Sequence, residues 1–385
     1  MSVRWHIVTP ELPPDCGGVG DYTAQIAEEL ARSGDGVAVY TPPGAARWQP
    51  AEPLEVVTLS DRFGIRSLRD LSSRIERDGQ SRLLVQYVPA VFGRRGTNIA
   101  FCRWLLSRRH AGVDVRVMFH EPYLYLRWRP DHIVTAFTQR AMAAILLDAA
   151  NHLYLSTDTW RRYLARFRPR AVQDAVTLPI PSAIPSVDSW HAVKATRQAS
   201  TDGSGYLVGH FGSYGGHIAP ILARTFTDLL STDPRVAVLC TGSGSDRFVK
   251  RFGAEHPSFR RRVTAVGRAA AHDISVQLQA CDVLLQPYPD GVTTRRTSVM
   301  AGLANGRAVV TTDGKLTEDV WRTTRCVALA PVSPAALSHT TRELLDDLAA
   351  RDALQSRAAS TYADCFALRH TIAALRADCL QLSTA

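Results

Sequence analysis

Short apolar runs alternate with amphipathic stretches along most of the chain. In the first half, the apolar runs predict buried strands, and the stretches between them carry apolar residues at helical spacing. The predicted strands are 5–9, 37–40, 54–57, 83–87, 115–119 and 152–155, and the predicted helices are 21–32, 99–110 and 133–150. Strands that alternate with helices indicate a doubly wound parallel sheet.

The same alternation restarts after a segment of different composition. Residues 178–205 contain three prolines and end in the polar sequence TDGSG, which is typical of a connection between domains. Beyond this segment, strands are predicted at 206–211, 236–240, 263–266, 283–285 and 308–310, a helix at 218–230 and a helical tail at 337–380. A chain of 385 residues suits two domains better than one core. We therefore predict an α/β fold of two Rossmann-like domains, residues 1–180 and 206–365, joined by a linker at 181–205.

The segment 281–312 is the most informative part of the sequence. Its apolar run, 283–285, predicts a strand that is buried on both faces. The loop 287–291 follows, and its prolines and glycine exclude both helix and ladder pairing. A helix is then predicted at 298–305, before the next buried strand.

Two arginines, Arg295 and Arg296, stand just before that helix. We expect Thr297 or Ser298 to cap the helix and Gly306 to end it. Free amides, the helix dipole and two guanidinium groups together make a site for a diphosphate. The alternative interpretation is an ordinary solvated loop that carries two arginines by chance.

Glycine-rich loops follow other predicted strands, at the edge where open α/β sheets bind ligands. The candidate ligand-binding residues in these loops are Gly18, Gly20, Gly212, Ser213, Tyr214, Gly242, Gly267 and Arg268. Tyr214 is expected to pack on a sugar or a base, and the loop amides to hold a phosphate. The glycines at 17, 18 and 20 miss the G-x-G-x-x-G spacing, which disfavours a nicotinamide enzyme. The alternative for each loop is a plain tight turn.

A histidine and a carboxylate, His120 and Glu121, end the predicted strand 115–119. Side chains of these types at a strand end can orient a sugar hydroxyl or relay a proton. A single histidine is more often structural, and Glu121 can serve simply to position it.

The formal net charge is +9, and almost all of the positive charge is arginine, because lysine occurs only at 194, 250 and 315. The basic segments 103–109 and 160–168 fit a membrane surface or a phosphorylated substrate, or they are the solvated faces of amphipathic helices. No nucleic-acid-binding module accompanies the charge.

The seven cysteines are scattered without metal-type spacing, which favours reduced thiols in a cytoplasmic protein. No apolar run is long enough to span a bilayer, and the N-terminal residues are expected to form a first strand rather than a signal peptide.

Four motifs occur in a fixed order along the chain. They are GGVGDYT after the first strand, HEP at a later strand end, FGSYGG after residue 210, and DVLLQPYPDG…AGLANGRAVVTT from residue 282. Together they resemble the GT-B glycosyltransferases, specifically the family 4-like retaining enzymes. The resemblance implies two domains that face a central cleft, with residues 366–385 packing back on the first domain. It also implies sugar transfer from a UDP- or GDP-linked donor to a hydroxyl, with retention, no metal and no permanently bound cofactor.

The resemblance assigns roles to particular residues. The implied catalytic residues are His120, Asp290, Arg295 and Arg296. The implied donor-binding residues are Gly18, Gly20, Gly212, Ser213, Tyr214, Gly242, Gly267, Arg268, Gly291, Thr297 and Ser298. The implied acceptor-binding residues are Asp21, Tyr22, Glu121 and Tyr123.

The sequence also departs from the family pattern at two places. The second acid that normally follows at the eighth position beyond Asp290 is replaced by Ser298. The arginine and lysine that normally follow the first strand of the second domain are absent from residues 213–217. We expect Arg295 and Arg296 to neutralise the diphosphate instead.

The sequence is also compatible with two other functions. One is another GT-B activity, such as a nucleotide-sugar epimerase or a pseudo-glycosyltransferase. The other is an inactive nucleotide-sugar-binding protein that lost turnover with the second acid. The acceptor is a small molecule, a glycan or a lipid-linked group, and aromatic and basic residues at 123–129 are candidates to shape its pocket. A peripheral contact with the inner face of the membrane, through the arginine-rich helices, is a further expectation.

Overall fold

The computed structural model describes residues 2–14, 17–44, 48–93, 96–123, 130–201 and 205–377. Four candidate acceptor-pocket residues, Tyr125, Arg127, Trp128 and Arg129, lie outside these ranges. The chain divides into two compact units, Met1–Pro179 with Leu368–Ala385, and Ile180–Ala367. Within the described ranges, no helix has the length and apolar character to cross a bilayer.

The first unit contains a parallel sheet. Its described strands are β1 (Arg4–Val8), β2 (Gly36–Thr41), β3 (Glu55–Thr58), β4 (Ser81–Tyr87), β5 (Asp114–Phe119), β6 (His152–Leu155) and β7 (Val176–Thr177). They lie in the order β3-β2-β1-β4-β5-β6-β7. The helices between them are α1 (Gly18–Arg32), α2 (Ile65–Asp78), α3 (Ile99–His110), α4 (Pro130–Ala149), α5 (Thr159–Leu164) and α6 (Pro169–Gln173).

Continuous apolar runs place these strands in the middle of the unit. Leu83, Leu84 and Val85 of β4 are all fully buried, so both faces of the sheet are covered. Burial of side chains of this size stabilises the fold by about 1.5–3 kcal/mol each. Helix α1 turns Ile26 and Leu30 toward the sheet, as its helical spacing predicts.

The second unit repeats the architecture. Its helices are α7 (Trp190–Thr201), α8 (Ala219–Thr232), α9 (Ser245–Glu255), α10 (Ala271–Ala280), α11 (Thr297–Ala304), α12 (Asp319–Thr324), α13 (Pro334–Asp346) and α14 (Leu348–Thr361). Its described strands are β8 (Tyr206–Phe211), β9 (Val236–Thr241), β10 (Val263–Gly267), β11 (Val283–Gln286), β12 (Ala308–Asp313) and β13 (Ala328–Pro331). They pair in parallel in the order β10-β9-β8-β11-β12-β13. A 3-10 helix covers Pro257–Arg262, and a π-helical turn covers Tyr362–Phe366.

Strand order reverses once in each sheet. The reversal lies between β1 and β4 in the first unit and between β8 and β11 in the second. In doubly wound sheets, ligands bind outside the carboxyl ends of the strands at such a switch point. Both units therefore offer an edge that suits a ligand, and the predicted fold class is correct.

The predicted linker at 181–205 is partly structured. Helix α7 lies within it and packs against α10 in the second unit. Arg197 of this helix donates to a side-chain oxygen of Asp282 at 2.8 Å and to the carbonyl of Gly205 at 2.9 Å. These contacts attach α7 to the second unit, so this part of the predicted linker is helical and packed.

The last described helix, α15 (Leu368–Arg376), belongs to the first unit. Arg82 and the fully buried Arg116 both donate to the carbonyl of Leu375. Arg376 forms an ion pair with Asp35 at 3.3 Å. The chain therefore returns to its first unit at the C-terminus, as the resemblance implied.

Candidate functional site

Loops at the carboxyl ends of β8, β9 and β10 pack against one another in the second unit. The Gly212 amide donates to the carbonyl of Thr241 at 3.1 Å, and the Gly242 amide donates to the carbonyl of Gly267 at 2.8 Å. A Cβ at Gly242 would collide with the carbonyl oxygen of Gly212, so this position requires glycine. Ser245 accepts the Gly267 amide at 2.9 Å. The structure thus brings the predicted glycines together, and at Gly242 packing between loops already accounts for the residue type.

Two other predicted residues of these loops reach solvent. Ser213 follows Gly212 and is exposed, and Arg268 is exposed just after the end of β10. Both side chains are therefore accessible at the carboxyl edge of the sheet, where a ligand of this unit would lie.

Tyr214 packs against two aromatic side chains of its own unit. Its ring lies 5.0 Å from Phe248 and 4.9 Å from His210, measured between ring centres, and its hydroxyl donates to the carbonyl of His210. Tyr214 is half-buried, and its stacking on a sugar or a base stays a prediction.

The arginines, the first turn of α11 and one tyrosine form a connected group. The guanidinium carbon of Arg296 lies 4.3 Å from the centre of the Tyr288 ring. The Tyr288 hydroxyl lies 2.7 Å from Oγ of Ser298. A Cβ at Gly212 would lie 3.8 Å from that Ser298 hydroxyl, which places the β8 loop beside the start of α11. The predicted diphosphate-binding residues Arg296, Ser298 and Gly212 are therefore neighbours.

The predicted helix cap is wrong. Helix α11 begins at Thr297, its N-cap is Arg296, and no side chain caps it. Ser298 cannot serve as the cap, because it lies within the first turn and its hydroxyl is bonded to Tyr288. Gly306 has a positive φ of 61° just beyond the helix end, as expected for the terminating glycine. Arg295 and Thr297 are half-buried on either side of the cap.

A buried carboxylate that the sequence did not indicate supports the loop before the arginines. Glu318 is 8% exposed, and its two side-chain oxygens accept the amide and the hydroxyl of Thr294, the latter at 3.1 Å. The carbonyl of Thr294 accepts the amide of Ile180 at 3.0 Å. Thr294 is therefore held on three atoms, one residue before Arg295.

Asp290 forms an ion pair that the sequence did not indicate. Its carboxylate lies 2.8 Å from Nζ of Lys315, and both side chains are substantially exposed. Exposed pairs of this kind are weak, so a ligand can replace either partner at little cost. The neighbouring Gly291 has a φ of 96° and packs on the backbone of Gly314, which fixes the turn that carries Asp290.

In the first unit, a carboxylate occupies the glycine loop before α1. The Gly20 amide donates to Oε1 of Glu11 at 3.2 Å, and a Cβ at Gly17 would clash with that carboxylate. Partial burial and then the Glu11 charge raise the pKa of the Asp21 carboxyl. The predicted approach of phosphate to Gly20 therefore requires Glu11 to move. Gly18 is the first residue of α1 and is exposed.

His120 is buried at the carboxyl end of β5. It is 6% exposed, its Nε2 lies 2.8 Å from Oε1 of Gln86, and its ring lies nearly perpendicular to that of Tyr22, with 5.3 Å between the ring centres. Its carbonyl accepts Trp160 Nε1 at 2.9 Å and Ser156 Oγ at 3.1 Å. These contacts hold the imidazole and its backbone at the edge that the topology marks for a ligand.

The two tyrosines predicted to bind the acceptor are packed inside the first unit. Tyr22 is 1% exposed, and burial, only partly offset by its hydrogen bond to Thr371, raises the pKa of its hydroxyl. Tyr123 stacks under Arg140 at 4.4 Å and donates to the carbonyl of Tyr163. Tyr22 packs against His120, and Glu121 is half-buried beside that histidine.

A groove of about 680 Å³ lies between α8 and α9. Its lining mixes acidic, basic and apolar side chains and includes none of the predicted site residues. In the ranges that the structure describes, no group of three or more His, Cys, Asp or Glu side chains is arranged to hold a metal ion.

No protein-family model and no curated protein matches the chain in sequence. Solved structures do match its fold. Sucrose-phosphate synthase from Thermosynechococcus elongatus superposes with a TM-score of 0.73 at 14% identity, over 97% of each chain. WaaG, a glycosyltransferase of lipopolysaccharide biosynthesis, gives 0.64 at 17% identity, over 97% of this chain and all of the other.

Anabaena HepE, solved with UDP and glucose, gives a TM-score of 0.67 at 14% identity, over 97% of this chain and 98% of the other. The same protein has also been solved with UDP-glucose. Identities this low establish the architecture alone. The chain has the GT-B fold of these glycosyltransferases.

Proposed function

We propose that the protein transfers a sugar from a nucleoside diphosphate sugar to an acceptor hydroxyl. The observation that carries the proposal is the group of Gly212, Arg296 and Ser298 at the switch point of the second unit. Loop amides, a helix N-terminus and guanidinium groups are the donors that bind a diphosphate. The GT-B fold supports the same activity.

We take UDP to be the nucleotide. The support is that HepE, which shares the fold, binds UDP and UDP-glucose. GDP stays the second candidate. In this proposal Gly267 and Arg268 border the nucleobase, Gly291 and Asp290 contact the transferred sugar, and Gly242, Ser213 and Thr297 line the donor.

The leaving diphosphate gains negative charge as the glycosidic bond breaks. Positively charged groups and fixed amides stabilise that charge more in the transition state than in the bound substrate. A single preorganised donor of this kind contributes about 2.7–4 kcal/mol in well-studied enzymes. Arg295, Arg296 and the first amides of α11 would supply such donors, so we propose transfer without a metal ion.

We also propose retention of the anomeric configuration, which rests on the family resemblance. In this mechanism the departing phosphate oxygen accepts the proton of the attacking hydroxyl on the same face of the sugar. No carboxylate base is then needed.

The acceptor side of the reaction is assigned to the first unit. His120 would contact the transferred sugar, and Glu121 and Asp21 would contact the acceptor. The neighbouring Glu11 makes the glycine loop negative, which favours hydroxyl-bearing or cationic acceptors over phosphorylated ones.

A peripheral membrane contact is a subsidiary proposal. Two large apolar side chains near the start of α4, Val134 and Phe137, are 68% and 62% exposed. The adjacent helix α3 carries Arg103, Arg108 and Arg109, and Arg109 donates to the carbonyl of Asp148 near the other end of α4. Exposed apolar side chains and arginines on one pair of helices suit the surface of an anionic bilayer. Binding to phosphatidylserine vesicles that falls with added salt supports this contact, and no binding at low salt removes it.

Turnover distinguishes the proposed function from its alternatives. Purified protein is incubated with UDP-glucose and EDTA, with and without a pool of sugar and lipid-linked acceptors, and products are identified by NMR. We expect UDP release only with an acceptor and an α-linked product. Conversion of the donor without an acceptor indicates an epimerase, and binding without turnover of any nucleotide sugar indicates an inactive binding protein.

A further inference from the structure

A buried glutamine contacts the histidine at the edge of the first unit. Gln86 is the penultimate residue of β4 and is fully buried. The β4–β5 register pairs Gln86 with Met118, two residues before His120. Side chains two residues apart extend from the same face of a sheet. Gln86 and His120 therefore share one face, and their side chains meet at 2.8 Å.

The atoms of the Gln86–His120 contact define which residue donates the hydrogen bond. Oε1 of Gln86 faces Nε2 of His120, and a carbonyl oxygen can only accept a hydrogen bond. Nε2 of the imidazole must then carry the hydrogen, which places the ring lone pair on Nδ1. The backbone of His120 is held separately, because its amide donates to Tyr87 and its carbonyl accepts two side-chain donors. Gln86 thus selects the tautomer and helps to fix the angle of the ring.

Packing alone does not explain a glutamine at this position. Among the described residues, Nε2 of Gln86 has no hydrogen-bond partner, and its atom surface is buried. A buried amide group left without a partner costs about 1–3 kcal/mol, which leucine or methionine would avoid. The contact between Oε1 of Gln86 and His120 gives a reason for a glutamine here despite that cost.

We propose that Gln86 is a positioning residue that holds His120 as the Nε2–H tautomer, so that Nδ1 accepts a hydroxyl of the transferred sugar. The proposal rests on the proposed function for the role of the hydroxyl. It predicts that the site requires a neutral imidazole with a lone pair facing the ligand. Loss of Gln86 then lowers turnover more than it weakens donor binding.

The test combines NMR of the imidazole nitrogens with kinetics of three variants. Protein labelled with ¹⁵N-histidine is titrated, and His120 is assigned from the signal missing in His120→Asn. The wild type is expected to show the Nε2–H tautomer. Gln86→Leu is expected to lose that preference, with kcat at least about tenfold lower and KM for UDP-glucose within about threefold. Gln86→Glu keeps an acceptor and adds a negative charge, so it should keep the Nε2–H tautomer and favour the protonated imidazole.

Gln286→Leu is the matched control, because Gln286 is also fully buried at the end of a strand, β11, in the second unit. It should leave the titration and tautomer of His120 unchanged. A wild type in the Nδ1–H form overturns the inference even if no variant folds. An unchanged tautomer in Gln86→Leu also overturns it. A wild type with no transferase activity but the expected tautomer overturns the proposed function and with it the role of the sugar hydroxyl, while leaving the Gln86–His120 coupling supported.

Discussion

Arg296 stacks on Tyr288, with the guanidinium carbon 4.3 Å from the ring centre, and the hydroxyl of that same ring lies 2.7 Å from Ser298. One aromatic side chain thus contacts an arginine and the first turn of helix α11. The ring holds the guanidinium plane while the hydroxyl holds the serine. This is the arrangement that we propose in place of the arginine and lysine missing after β8.

Removal of the Tyr288 ring should weaken donor binding. A cation–π contact contributes about 0.5–2 kcal/mol, so Tyr288→Leu should weaken UDP-glucose binding by about 2- to 30-fold. Tyr288→Phe keeps the ring and loses only the hydroxyl, so its effect should be smaller. Calorimetry in EDTA measures both. Equal losses in the two variants would show that the hydroxyl, and not the stacking, matters.

Glu318 should matter for both stability and binding. In Glu318→Ala the buried amide and hydroxyl of Thr294 lose their acceptor, which costs about 1–3 kcal/mol. We expect a lower thermal unfolding midpoint and weaker UDP binding, since Arg295 follows Thr294 directly. The control is Glu343→Ala, which removes an exposed carboxylate on α13. If the two variants behave alike, Glu318 does not support the arginine loop.

His210 should make the protein less stable in mild acid. Burial, opposed by the carbonyls of Leu285 and Ser213, lowers the pKa of His210 from 6.5 to about 4. Between pH 4 and 6.5 His210 is protonated in the unfolded chain and neutral in the folded chain. The free energy of unfolding therefore has its full contribution from neutral His210 above pH 6.5. It falls as the pH drops toward 4, by at most about 1.4 kcal/mol per pH unit.

The measurement is the thermal unfolding midpoint at several pH values between 7.5 and 4.5. In His210→Gln the decline should be shallower than in the wild type, because the titrating group is gone. The exposed His339 gives the control, His339→Gln, which should keep the wild-type slope. Parallel curves for the wild type and His210→Gln would refute the assignment.

Glu11 should oppose any phosphate that approaches the glycine loop. Its carboxylate holds the Gly20 amide, and its charge adds to the effect of burial in raising the pKa of the Asp21 carboxyl. Glu11→Ala removes the charge and releases the amide, so we expect UDP-glucose binding at low salt to tighten by about threefold or more. Glu28→Ala, which removes another carboxylate bonded to a main-chain amide, should have no effect. Weaker binding in Glu11→Ala would mean that Glu11 contacts the ligand itself.

The sheets were largely predictable because parallel strands buried on both faces give continuous apolar runs. Strands β7 and β13 were missed. Val176–Thr177 is only two residues long, and only one of the four residues of Ala328–Pro331 is buried. Helix α7 was interpreted as linker because three prolines and a polar stretch mark the segment 178–205, and none of the residues of α7 is buried.

The candidate site was predictable where a motif marks the end of a strand or the start of a helix. The position of Arg295 and Arg296 next to the start of α11 could be predicted from the sequence, because the loop and the helix are consecutive. Sequence patterns did not indicate the roles of Glu318, Glu11 and Gln86. Each of these side chains contacts a residue that is distant in sequence and becomes a neighbour only in the folded chain. The cap was misassigned for the same reason, since the partner of Ser298 is the ring hydroxyl of Tyr288 ten residues earlier.

The most direct test of the account is titration calorimetry of UDP-glucose in EDTA with the wild type and Arg295→Ala/Arg296→Ala. The control is Arg251→Ala, an exposed arginine of α9 paired with Glu255. We predict metal-free binding by the wild type and the control, and at least about tenfold weaker binding by the double variant. Equal affinity in all three proteins would contradict the proposed diphosphate site, and no binding of any nucleotide sugar by the wild type would contradict the proposed function.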